Sequence, residues 1–172
     1  GINVNGKAED TMIYRLIEEN EVEYADIYNI KSFEFGCGRI FYVLKDNEPY
    51  IRLVIDDGFF KDIVILNGYV FIGDYTNGVK VFNLKDYTIN NIDVDGYFGH
   101  FHIDNDTLFV LGCSNVMAFD KSSKVIWKSK DIAIDGILFD HISNNIMYVK
   151  CEMDPPGGWE TRCINISNGM IE

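Results

Sequence analysis

His100 and His102 stand two residues apart, a spacing that on a β-strand places both imidazoles on one face and could begin a two-ligand metal site. His141 occupies the corresponding strand of a later repeat, and no further ligand stands near either in sequence, so the three read as surface or interface histidines. Asp56-Asp57, and Asp93 with Asp95, are the residue types of a general acid and base. These aspartates belong to an Asp-Gly turn that returns three times, and a catalytic residue has no reason to recur in every repeat. Gly36-Cys37-Gly38 has two glycines of a phosphate loop, but no third glycine or Lys/Ser pair follows, and the next segment reads as a strand. Cys151 and Cys163 lack the Cys-x2-Cys spacing of a zinc site, and with Cys37 and Cys113 they are expected to be free, buried thiols. Gly-x-Ser-x-Gly, His-Glu-x-x-His and Walker sequences are all missing. No catalytic, cofactor-binding or metal residue is assigned, and the chain is read as not an enzyme.

Charge carries more. The 172 residues hold 27 acids against 15 bases, a net −12. Residues 9–26 contain seven acids (Glu9, Asp10, Glu18, Glu19, Glu21, Glu23 and Asp26) and one base, Arg15, so this segment carries half the surplus. Such a balance repels nucleic-acid phosphates and anionic membrane surfaces and steers a basic partner in. A solvated polar face is the plain alternative. A second candidate is the insertion Asp154-Pro155-Pro156-Gly157-Gly158-Trp159, a stiff loop offering an aromatic ring that no repeat position requires. Packing of Trp159 over the last repeat is its structural alternative. Partner contacts are therefore expected at Glu18, Glu19, Glu21, Glu23, Asp26, Asp154 and Trp159.

These residues must be held by a repeat. Asp57-Gly58, Asp95-Gly96 and Asp135-Gly136, each followed by apolar or aromatic residues, recur at steps of 38 and 40. Asn67-Gly68, Asn105-Asp106 and Asn144-Asn145 are residue types that tolerate positive φ, and they recur at 38 and 39 as hairpin turns. Phe82-Asn83, Phe119-Asp120 and Ile164-Asn165 are each followed six residues after the polar residue by Ile89, Ile126 and Ile171. One register held by three markers predicts units of four short strands, the length of a propeller blade. Upstream, 39–45 and 50–56 read as strands of an earlier unit, and 27–35 as another. Met12, Ile13, Leu16 and Ile17 recur at helical spacing, so 9–20 is expected to form a short helix after an extended lead-in.

Phe119-Asp120, Lys124 and Trp127 resemble the blade repeat of quinoprotein-type β-propellers, in which an apolar strand leads through an aspartate and a polar turn to a Lys-x-x-Trp strand. Ser123 stands where that pattern prefers Gly, and Asn90 stands in the place of Trp127 one repeat earlier. The resemblance implies blades; three and a half of them are too few for a closed quinone-binding ring, so no cofactor is expected. The expected architecture is all-β: a single domain over 1–172 forming an open half-propeller of about three and a half four-stranded antiparallel blades. Its parts are a lead-in and helix (1–36), a partial blade (37–60) and three blades (61–96, 97–135, 136–172).

No apolar run approaches the roughly 20 residues that span a bilayer, and the first residues lack the pattern of a secretory signal. A cytoplasmic bacterial protein is expected, or an exported one should the initial Gly mark a removed signal. Size, charge and architecture look like those of the immunity proteins that bacteria pair with toxins. The expected function is a binding module that blocks a cognate basic, nuclease-type toxin domain, with no nucleic-acid, membrane or small-molecule ligand. A generic propeller-like scaffold or ligand-binding domain within a larger assembly is the alternative.

Overall fold

The computed structural model describes residues 13–19, 29–76, 78–154 and 157–172. They form an all-β structure with no α-helix among the described residues. The chain divides into two compact units, Gly1–Gly58 and Phe59–Glu172, the division falling after the first Asp-Gly marker.

The first unit is one sheet of β1 (Tyr14–Glu18), β2 (Lys31–Phe35), β3 (Gly38–Lys45) and β4 (Glu48–Asp56), in the order β1-β3-β4-β2. β3 and β4 form a hairpin through Asp46 and Asn47, whose φ angles of 51° and 67° are the left-handed values that short polar residues tolerate. β2 runs parallel to β4, so the chain must cross the end of β4 to enter β3. It does so over Gly36-Cys37-Gly38. A Cβ on Gly36 would lie 2.5 Å from both Cβ and N of Asp56, and φ there is 152°, so no larger residue fits this arch.

The expected N-terminal helix is corrected here: residues 14–18 are the edge strand β1, paired antiparallel with β3 from Tyr14 opposite Lys45 to Glu18 opposite Phe41. Four apolar residues at helical spacing are a weak nucleus, whereas the β3 edge supplies a ladder of backbone hydrogen bonds. Arg39 of β3 forms an ion pair with Glu18 of β1 at 2.6 Å. The remaining positions of the expected helix, 9–12 and 20, lie outside the described residues.

The second unit stacks three sheets. β5 (Phe60–Leu66), β6 (Tyr69–Asp74), β7 (Gly78–Asn83) and β8 (Ile89–Ile92) form one antiparallel meander, and β9 (Phe98–Asp104), β10 (Thr107–Gly112), β11 (Val116–Phe119) and β12 (Val125–Lys128) a second. β13 (Ile137–Ser143), β14 (Ile146–Asp154) and β15 (Gly158–Asn165) form a third, in which the expected fourth strand is reduced to a bridge between Ile164 and Ile171. Each Asp-Gly marker precedes the first strand of a sheet, and each Asn-led pair is the turn between its first and second strands. Phe71, Phe98, Phe101 and Phe119 fill the space between the first and second sheets. Phe109, Leu111, Trp127, Met147 and Val149 fill that between the second and third.

The third marker is a turn clamp. Side-chain oxygens of Asn83, Asp120 and Asn165 accept the N–H of Lys85, Ser122 and Ser167 at 2.8, 2.8 and 2.9 Å, and their backbone N–H groups bond to Thr88, Lys124 and Met170. One residue in each turn takes a left-handed conformation: Tyr87 (64°), Ser123 (63°) and Gly169 (76°). Glycine suits this position on backbone grounds, and at Gly169 space also demands it, since a Cβ would come within 2.4 Å of Trp127. The Trp127 indole N–H then donates to Ile166 O at 2.8 Å, tying the second sheet to the turn of the third.

Adjacent sheets are also tied by acceptor side chains on their first strands. Asp62 Oδ2 accepts the Phe101 N–H at 3.1 Å, and His100 Nε2 accepts the Phe139 N–H at 3.4 Å. Burial lowers the His100 pKa below the ordinary imidazole value, Asp62 opposing and His102 and Lys61 adding slightly. The neutral ring is the form that can accept from Phe139. His102 lies flat on the Phe139 ring, with centroids 3.6 Å apart.

Two outcomes are expected. Ser123→Gly should raise stability by about 0.5–1 kcal/mol, because relief of a left-handed residue outweighs the added freedom of the unfolded chain, whereas Gly169→Ala should lower it by several times as much. Urea titration of both variants against the parent checks this. Because folding lowers the His100 pKa, the unfolded chain binds the extra proton, so this stabilisation is present above about pH 6.5 and is lost as pH falls through the folded value. Melting temperature should therefore fall between pH 7.5 and 5, and His100→Gln, which keeps an acceptor, should flatten that fall.

Candidate functional site

At one end of the second unit β5, β9 and β13 begin and β6, β10 and β14 finish, and three aromatic rings from three sheets meet there. Tyr75 follows β6 and is anchored by its N–H to Phe59 O at 2.8 Å. Tyr97 follows the Asp95-Gly96 marker and stacks on Tyr75, with centroids 5.0 Å apart and planes 20° from parallel. Its hydroxyl proton is shared between the backbone O (2.6 Å) and Oδ1 (3.0 Å) of Asp135, the marker aspartate of the third sheet. Burial, with Asp135 beside it, pushes the Tyr97 pKa well above the usual phenol value, so the hydroxyl remains a donor. A Cβ on Gly136 would lie 3.2 Å from that hydroxyl oxygen and 3.9 Å from Cη2 of Trp159, which brings the indole to the same spot. Tyr75 and Trp159 are 45% and 43% exposed, high for large apolar side chains.

Carboxylates surround the rings. Asp93, Asp95, Asp131, Asp135 and Asp154 are exposed at this end. Asn115, only 2% exposed, sits beneath two of them and donates its amide N–H groups to Asp95 Oδ2 (3.0 Å) and Asp131 Oδ1 (3.4 Å). Lys128 bonds to Asp95, and with Asn115 it holds that carboxyl below the usual range. Lys61 lies over Tyr75, its Nζ 5.8 Å from the ring centroid. Ring faces and ionised carboxylates together suit a cation. Among the described residues no three His, Cys, Asp or Glu side chains are grouped to hold a metal.

Of the expected contact residues, Asp154 closes β14 opposite Gly158, and Trp159 lies in β15 opposite Glu152. Glu18 and Glu19 belong to the first unit; Glu18 is ion-paired with Arg39 and Glu19 is exposed. Glu21, Glu23 and Asp26 lie outside the described residues, as do Pro155 and Pro156. Tyr75 and Tyr97 are not singled out by sequence alone, although an aromatic directly after a turn marker is the available signal for Tyr97.

The three histidines are engaged separately: His100 in the sheet junction, His102 on Phe139, and His141 stacked on Tyr148 at 4.3 Å with Asp140 beside it. Asp56 Oδ1 accepts the Gly58 N–H at 2.8 Å, a turn role. All four cysteines are free, but the expectation of buried thiols holds only for Cys151, whose pKa burial pushes up to about 11. Cys37 is exposed on the arch, Cys113 is half-buried just past the end of β10, and Cys163 is half-buried within β15 opposite Tyr148.

No protein-family model matches the chain, and no curated protein matches it by sequence. Among solved structures it is similar to the computationally designed Ika4 protein, at 11% identity and a TM-score of 0.51 over 66% of this chain and 69% of that one. The computationally designed Ika8 protein gives 11% identity and 0.56 over 76% of this chain and 41% of that one. KlHsv2 with loop 6CD replaced by a Gly-Ser linker gives 14% and 0.50 over 77% and 44%. The chain thus spans less than half the length of two of these proteins. At such identities the likeness shows the fold alone: a propeller-like, all-β repeat.

Proposed function

We propose that this chain is a non-enzymatic protein-binding module that receives a basic protein on the acidic, aromatic end of its second unit, as an immunity protein would receive a cognate toxin domain. One observation supports it above the rest: the exposed Tyr75 and Trp159 and the half-buried Tyr97, from three different sheets, lie near one another among five exposed aspartates. Rigid aromatics give contact area at little entropic cost, and the carboxylates supply attraction to a cationic surface. The acidic run that includes Glu18, Glu19, Glu21, Glu23 and Asp26 adds to the net negative charge that attracts a basic protein. Four free thiols suit a reducing compartment such as the bacterial cytoplasm. A scaffold within a larger assembly is the second reading, favoured by the short span of the chain against Ika8 and KlHsv2.

The test is co-purification of the protein encoded beside this chain, followed by stopped-flow association with it. Reversing Asp131, Asp135 and Asp154 to Lys should slow association by about tenfold or more at low salt, with the difference shrinking as ionic strength rises. Trp159→Ala should instead speed dissociation, costing about 2 kcal/mol of affinity at any salt. Wild-type kinetics in both variants would refute binding at this end.

A further inference from the structure

Resting on the reading of this end as the seat of a basic partner, we propose that the exposed Tyr75 ring is a receptor for a single arginine side chain, for which Lys61 competes in the free protein. Tyr97 backs one side of the Tyr75 ring at 5.0 Å, nearly parallel, so the phenol is held flat rather than free to turn. The Lys61 ammonium stands 5.8 Å from the ring centroid, at the outer reach of a cation–π contact, so a cation already approaches the ring. The backbone bond from Tyr75 to Phe59 O fixes the ring's base, and the adjoining Asp74 has its Oδ1 tied at 2.8 Å to the Thr76 N–H and at 3.1 Å to its hydroxyl. At the other side of the stack the Asp135 carboxylate accepts from Tyr97.

A planar guanidinium matches this platform better than an ammonium does. It is less strongly hydrated, and it stacks face to face on a phenol. Lys61 is exposed and long, so an incoming arginine can displace it into water without disturbing β5. Lys61 thus acts as an intramolecular competitor, screening the ring from weak cations and yielding to a guanidinium that stacks on it.

Hexa-arginine and hexa-lysine peptides, titrated at about 0.15 M salt with Trp159 fluorescence and calorimetry as readouts, test this. Hexa-arginine should bind about fivefold tighter than hexa-lysine. Tyr75→Leu, which changes no charge, should abolish that preference, and Tyr75→Phe, which keeps the ring, should retain it. Lys61→Ala should tighten arginine binding about two- to threefold in the parent, with the gain disappearing in the Tyr75→Leu background. A gain that persists there would reflect net charge alone and would overturn the competitor role. Binding of both peptides that ignores Tyr75 would overturn the ring receptor while leaving the acidic end standing as a binding surface. Binding of neither would overturn both together.

Discussion

Sheet must lie on sheet in the second unit, and most of its other features follow from that. Five consecutive residues of β10 from Leu108 to Gly112 are buried, so this strand of the middle sheet has a covered surface on each side of the pleat. A lone sheet of three or four short strands leaves both faces wet, so its apolar residues are buried only when another layer covers them. Stacking resolves this only if successive sheets keep one spacing and one angle. The Asp62 and His100 acceptors, the Trp127 indole on the Gly169 turn and the Tyr97 hydroxyl on Asp135 set that geometry. Apolar packing gives the area, and a handful of polar links removes the freedom to slide.

The same division explains what the sequence disclosed. Turns announce themselves because left-handed backbone demands particular residues, so Asn67-Gly68, Asn144-Asn145 and the Asn83, Asp120 and Asn165 clamps mark where strands end. Ser123, in a left-handed conformation, shows why glycine is preferred at its place, and Trp127 proves to be a link between sheets. Hidden from sequence were the features set by distant partners. Leu16 and Ile17 read locally as helix, yet Val43 and Tyr42 across the ladder make them strand. Nothing local in Lys31–Phe35 states that it will run parallel to β4.

The candidate site was legible by halves for a similar reason. Trp159 stood out because it interrupts the repeat. Tyr75 and Tyr97 sit within it, at unrelated positions of consecutive units, and only the stacking of sheets brings them ring to ring. Acidic character could be counted from composition, but composition does not say that Asn115 lies buried beneath Asp95 and Asp131, holding two like charges near one another by donating to both. Loop residues gain a defined pattern only from the scaffold that carries them.

The pairing order of the first unit bears on how the chain folds as it is made. In the second unit every ladder within a sheet joins a strand to the one immediately before it, so each sheet can close soon after its own residues leave the ribosome. β1 pairs with β3 and β2 with β4, so both early strands emerge before any partner exists: β1 waits, edges open, until Lys45 has been added, and β2 until Asp56. Loop closure across that separation is slower than hairpin closure. Synthesis therefore exposes the first unit longest, and the Gly36-Cys37-Gly38 arch, which passes β2 over the end of β4, can be drawn tight only when the last residue of that strand arrives.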